Sequence, residues 1–204
     1  IHSSSESRNA TQRVAAGTWS SPVLRAAPGP ALACVISRMS SPAVSQAALQ
    51  AATAYAATRV QGRTPVGEAA IMGHADVRRM LAQMRAEVFA ARAIALSCAV
   101  ALDMARAVGG DWAARAALLT PIAKAYGTDT GMAVTQQAVQ VHGGMGFIEE
   151  TGAAQYYRDA RILTIYEGTT AIQANDLVGR KTLRDGGALA RHIIAEVKKT
   201  EAEL

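Results

Sequence analysis

The sequence predicts an all-α protein, an up-and-down helical bundle, and three observations carry that expectation. Apolar residues recur in steps of three and four over long windows, no segment alternates as a half-buried strand does, and the composition is rich in Ala with only 4% aromatic residues. A core of small and aliphatic side chains requires close approach of backbones, which packed helices provide. With 204 residues and 50% hydrophobic content, the chain can bury one ordinary core.

Taken in order, residues 1–41 are rich in Ser, Arg, Pro and Gly, sustain no period, and read as a poorly ordered arm. Pro42 suits a first helical turn, and Ala47, Leu49, Ala51, Ala54, Tyr55 and Val60 follow among strong helix formers, giving a helix over 42–61. After a loop from Gly62 to Gly73 comes one apolar seam through Val77, Leu81, Met84, Val88, Ala91, Ala95, Cys98, Leu102 and Ala105. His74 and Asp76 open that helix, where an acid complements the dipole, and Gly109 and Gly110 stop it. A third helix, 112–141, carries Leu118, Ile122, Ala125, Met132 and Val139 as its expected stripe, and Pro121 predicts a kink or a delayed start.

The segment His142–Gly152 holds four glycines and must leave helical geometry. Helices over 153–163 and 169–181 follow, interrupted at Glu167 and Gly168, and a charged helix occupies 186–203. The expected organisation is an arm over 1–41, a bundle over 42–185 and a helical extension over 186–204.

Composition and spacing exclude several function classes. Cys34 and Cys98 each stand alone, so there is neither zinc-ligand spacing nor a disulfide framework, and a reducing, cytoplasmic setting fits. The net charge of +5 is spread along the chain rather than gathered into a patch for nucleic acid. The longest apolar run, Ile94–Leu102, falls short of the roughly 20 residues of a membrane span. A first residue of Ile fits a start in mid-protein. Gly143-Gly144-Met145-Gly146 is not a dinucleotide fingerprint, which needs a preceding strand and a Gly where Glu149 stands. His142-Gly143-Gly144 resembles an esterase oxyanion loop, but no G-x-S-x-G elbow accompanies it. None of His2, His74, His142 and His192 has a Glu three residues before it, so a carboxylate-bridged metal bundle is not expected.

What remains is Gln140-Val141-His142-Gly143-Gly144-Met145-Gly146, then Tyr157-Arg158-Asp159, then Tyr166-Glu167-Gly168-Thr169-Thr170-Ala171-Ile172-Gln173. In this order and spacing the three elements resemble the C-terminal helical domain of the acyl-CoA dehydrogenase family, over about residues 47–185. Leu177-Val178-Gly179-Arg180-Lys181 followed by Arg184-Asp185-Gly186-Gly187 looks most like the branch that includes 3-methylmercaptopropionyl-CoA dehydrogenase.

The resemblance implies an FAD-dependent enzyme that forms an α,β double bond in an acyl-CoA thioester and passes electrons to an electron-transferring flavoprotein. It implies a homo-oligomer, and a chain that lacks the family's N-terminal helical and middle β domains. Glu167 would be the base that takes the α proton, and Gly168 would let the acyl-CoA come close. Gln140, Gly143, Gly144 and Thr169 would contact the flavin nucleotide, and Arg59 would pair with its pyrophosphate.

Plainer readings stand beside these roles. Glu167 can be a first-turn carboxylate, Gln140 to Gly144 a helix end with a glycine turn, Thr169 a cap, and Arg59 a solvated cation. Arg158 and Asp159 read as residues that fix the turn before Glu167. The alternative function is a noncatalytic helical assembly module that binds no flavin by itself.

Overall fold

The computed structural model describes residues 30–204, Val66 and Glu68 excepted. Two compact units divide the chain after Cys34. Of the first, the described part is the opening of a helix. The arm is expected over 1–41: its residues 1–29 lie outside the described residues, and residues 30–41 are helical instead.

The second unit is all-helical, and among the described residues there is no strand, only isolated bridges in the connection 59–74. The helices are α1 (Pro30–Thr58), whose residues from Val35 on belong to this unit, α2 (Ala75–Ala107), α3 (Trp112–His142), α4 (Gly144–Phe147), α5 (Ala153–Leu163), α6 (Thr170–Asn175) and α7 (Ala188–Glu203). Ala48, Leu49, Ala52 and Ala56 of α1 meet Met80, Met84 and Val88 of α2 and Val134, Ala138 and Val141 of α3 in one core.

The first helix starts at Pro30, not at the expected Pro42, which lies inside it. Both prolines carry the same start signal, and Pro30 takes the first-turn place that its fixed φ and missing N–H suit. Around Pro42, Ser41 donates its hydroxyl to the Gly127 carbonyl, and Ser45 donates to the Ser41 carbonyl at 2.8 Å. Gly127 and Gly131 make that crossing close. A Cβ built on Gly131 would stand 2.9 Å from Ser41 Oγ, so a side chain there would have to displace the Ser41 hydroxyl.

In α2 the expected seam holds through its centre, where Met84, Val88, Ala91, Ala95 and Cys98 are buried. At the ends Met80 and Ala101 are buried instead, and Val77, Leu81, Leu102 and Ala105 are half-buried beside them. A helix that faces two neighbours buries a stripe wider than a two-position seam. The same helix contains an 18-residue window of mean hydropathy 1.8, long and apolar enough by length and composition to cross a membrane. That window escapes a reading of uninterrupted apolar runs, and in this fold the helix carries the bundle core.

The stripe expected for α3 is corrected more deeply. Leu118 is buried, but Ile122, Ala125, Met132 and Val139 are half-buried, and the buried positions include Lys124, Gly127, Thr128, Thr130, Gly131 and Thr135. This helix packs against α2, α5 and α6 as well as meeting α1, so it is enclosed on several sides. Thr128 and Thr135 stay satisfied there by bonding backward. Thr128 Oγ1 donates to the Lys124 carbonyl at 2.9 Å and Thr135 Oγ1 to the Gly131 carbonyl at 2.7 Å. Pro121 lies inside a helix that has already run from Trp112, so no start is delayed.

The helix expected over 169–181 is shorter. α6 ends at Asn175 and gives way to a wide turn of π geometry over Asp176–Thr182. α7 begins at Ala188, and the Asp185 carboxylate accepts hydrogen bonds from the N–H groups of Gly187 (2.8 Å) and Leu189 (3.1 Å). An ion pair of 2.9 Å between Arg115 and Glu196 ties α7 to α3.

Candidate active site

The last residue of α5 hands the chain to the most constrained turn of the fold. Lys124 Nζ donates to the Leu163 carbonyl at 2.6 Å, and the lysine is only 2% exposed. An ammonium there complements the negative end of the α5 dipole, and it lies 5.6 Å from the centroid of the Tyr166 ring, within cation–π reach. The next residue, Glu167, has φ 55° and is, among the described residues, the one non-glycine residue in the left-handed region. Gly168 follows at φ 91°.

Thr169 then has extended backbone and occupies the cap position of α6, though its hydroxyl makes no capping hydrogen bond. Thr170 Oγ1 donates to Asp129 Oδ1 at 3.1 Å, which fixes the start of α6 on α3. Gln173, one turn into α6, is buried and donates its side-chain amide to the Glu167 carbonyl at 3.1 Å. Glu167 is therefore not a first-turn helix carboxylate. It stands in a turn before α6, exposed, on a backbone held from both sides.

The glycine loop lies at another place. α3 ends at His142, and Gly143, at φ 62°, turns the chain into the single turn α4. A Cβ on Gly143 or Gly144 would meet nothing within 4 Å, so both backbones are open to approach from outside. Gly146 is the reverse case: a Cβ there would strike the Val139 carbonyl and come within 2.9 Å of His142 Cβ, so this glycine serves internal packing. Gln140 is exposed on the last turn of α3.

Arg59 lies just beyond α1, exposed, with its Nη2 donating to Gln61 Oε1 at 3.2 Å. Tyr55, one turn earlier, stacks on His142 with centroids 4.4 Å apart. The stack brings the end of α1, and so Arg59, to the same end of the bundle as Gln140, Gly143 and Gly144. Thr169 is not with them. Asp129, which anchors Thr170, and Gly143 are separated along α3 by about 20 Å at 1.5 Å per residue. The candidate residues thus form two clusters on one helix, the turn at Glu167, Gly168 and Thr169 and the loop at Arg59, Gln140, Gly143 and Gly144.

Arg158 and Asp159 do not reach the turn before Glu167. Arg158 pairs with Glu149 at 3.2 Å and donates to Gln155, which in turn donates to Asp159 at 2.6 Å, so the two residues brace α5 against the segment that precedes it. Two positions that hold the Glu167 turn were not expected from the sequence. Gln173 was visible as the final residue of its motif but had no role there. Lys124 gave no signal, because a lysine in a long helix reads as solvated.

Comparison with known proteins completes the picture. The profile described as Acyl-CoA dehydrogenase, C-terminal domain, matches residues 35–182. A 3-methylmercaptopropionyl-CoA dehydrogenase of Ruegeria pomeroyi is 49% identical over 170 residues, covering 79% of this chain and 29% of the relative. A butyryl-CoA dehydrogenase of Syntrophomonas wolfei is 36% identical over 160 residues, covering 74% and 26%. Among solved structures, the butyryl-CoA dehydrogenase of Megasphaera elsdenii superposes with a TM-score of 0.61 at 29% identity, over 72% of this chain and 35% of that one. The chain spans less than a third of the length of the two sequence relatives. Since the profile takes in the loop, the turn and the helices between them, the chain belongs to the acyl-CoA dehydrogenase family and corresponds to its C-terminal helical domain.

Proposed function

We propose that this chain supplies the base and part of the flavin site for α,β-dehydrogenation of an acyl-CoA thioester. The observation that carries the reading is Glu167, a carboxylate on a left-handed backbone in the turn that matches the family motif. Non-glycine residues in this region cost free energy and concentrate where geometry serves function. Glu167 accepts the α proton of the substrate, and its exposure leaves the carboxylate within reach of a ligand. Gly168 beside it leaves room for the Gln173 amide, which a Cβ there would approach to 2.8 Å.

At the other cluster, the fit is to a phosphate-bearing group. Arg59 offers an exposed guanidinium, Gly143 and Gly144 offer open backbone, and Gln140 offers an amide. FAD, when bound, supplies the acceptor for the hydride that leaves the β carbon. Arg59, Gln140, Gly143 and Gly144 hold its nucleotide part, and Thr169 contacts flavin beside Glu167. Because the two clusters are set far apart on α3, the loop of one copy serves the turn of a partner copy, and an electron-transferring flavoprotein accepts the electrons. The name of the Ruegeria relative makes a thioether-bearing short acyl-CoA the first substrate to test.

A second reading, a helical assembly module without catalysis, is favoured by the apolar residues Phe89, Leu96 and Val100 exposed along α2. Exchange of the substrate α proton with solvent deuterium separates the two. With acyl-CoA and FAD present, the parent chain exchanges the α proton and Glu167→Gln does not, at equal flavin content. Exchange that survives in Glu167→Gln removes Glu167 as the base, and absence of flavin from the parent chain favours the assembly module.

A further inference from the structure

We propose that Gln173 is the positioning residue for Glu167, and that Gly168 is glycine to admit the Gln173 amide. The proposal rests on reading Glu167 as the base. Its starting point is that a residue with a Cβ does not hold φ 55° unaided, because the right-handed and extended regions are lower in energy. Something must hold the Glu167 peptide.

The hydrogen bond from Gln173 Nε2 to the Glu167 carbonyl does so directly, at 3.1 Å, and it comes from a side chain only 9% exposed. A buried amide left without that acceptor would lose a bond it cannot replace from water, so relaxation of Glu167 is opposed by the cost of orphaning Gln173. The glycine between them makes the geometry available. A Cβ on Gly168 would lie 2.8 Å from Gln173 Nε2 and 3.2 Å from Ile172 Cγ2, so any other residue would displace the amide from its place.

Gln173 is itself anchored at both ends of its turn. Its N–H donates to the Thr169 carbonyl at 3.0 Å, and Thr170 binds Asp129 on α3. Upstream, Lys124 holds the Leu163 carbonyl from the same helix. The turn therefore has fixed ends on α3, and the Gln173 amide sets the one peptide between them that decides where the Glu167 carboxylate points.

The test reads the Glu167 backbone itself. In the full 204-residue chain, the one-bond Cα–Hα coupling of Glu167, which differs between positive and negative φ, is measured by NMR in the parent, Gln173→Met and Gln173→Glu. Methionine keeps the length and removes the donor. Glutamate keeps the shape, lacks a proton at neutral pH, and regains an O–H donor once protonated. The expected result is a shift of the coupling to the negative-φ value in Gln173→Met, the same shift in Gln173→Glu at neutral pH, and its return on acidification. A role confined to packing would show no such pH-dependent return. If Gln173→Met loses helix content, the Gln173→Glu titration decides alone. A coupling unchanged in every folded variant at every pH overturns the role of Gln173, whatever Glu167 does. Proton exchange surviving in Glu167→Gln, with the coupling shift present, instead overturns the reading of Glu167 as the base.

Discussion

Tyr55 and His142 lie ring on ring, their planes inclined by 28°, so the last turns of α1 and α3 are joined through two side chains. His142 is fixed from the other side, its Nδ1 donating to the Ala138 carbonyl at 2.7 Å. A double-mutant cycle with Tyr55→Ala and His142→Ala is expected to give a coupling of about 1 kcal/mol in chemical denaturation, the usual worth of an aromatic pair beyond its buried area. Strict additivity would show the stack to be incidental.

The two glycines of the loop separate fold from ligand. Gly146→Ala places a methyl against backbone and should lower stability by about 1–3 kcal/mol, since neither the Val139 carbonyl nor the helix that carries it can withdraw. Gly144→Val meets open space and, at the start of a single helical turn, should leave thermal unfolding nearly unchanged while reducing retained FAD. Equal flavin in parent and Gly144→Val would remove Gly144 from the nucleotide site. The strain of a positive φ belongs to its neighbour Gly143, not to Gly144.

Glu167→Gly tests the strain at the turn from the opposite direction. Left-handed geometry costs a residue with a Cβ about 1–2 kcal/mol, and glycine escapes it at a cost in chain freedom of about 0.5–1 kcal/mol. Stability should therefore stay level or rise by up to about 1.5 kcal/mol, while Glu167→Val should lower it. A clear loss in Glu167→Gly would mean that the side chain, rather than the backbone, stabilises the turn.

The Asp185 carboxyl sits below its usual range because the backbone N–H groups of Leu189 and Gly187 bind its charged form. A folded pKa below the unfolded value of 3.8 gives a contribution that is complete above that pH and disappears as pH falls through the folded pKa. Protection of the amides at the start of α7, taken relative to their intrinsic exchange rate at each pH, should therefore fall in the parent as the solution is acidified below 3.8. Asp185→Asn should show lower protection there at neutral pH and no such acid step.

How far the sequence alone reveals this fold depends on which force shapes each part. The helical class follows from apolar periodicity, and the centre of α2 follows residue by residue from its seam. The boundary of α1 does not, because Pro30 and Pro42 carry one local signal and the second proline lies inside the helix, next to the packing of Ser41 on Gly127. The face of α3 does not either. Thr128 and Thr135 bury themselves by bonding their own helix, and hydropathy counts them as surface. At the site, the motif identifies Glu167, Gly168 and the glycine loop, but the need for Gln173 exists only once φ at Glu167 is known.

The length of α3 between Asp129 and Gly143 acts as a gauge. A helix fixes both separation and bearing, so one residue inserted there would carry the glycine loop about 1.5 Å along the axis and turn it about 100° around it relative to the Glu167 turn. Two whole turns, about seven residues, would restore the bearing but add about 10 Å. Substitution can vary freely on the solvent side of this stretch, whereas insertion and deletion cannot. The spacing between the two motifs is thus a mechanical constant of the domain, set by the rise of a helix.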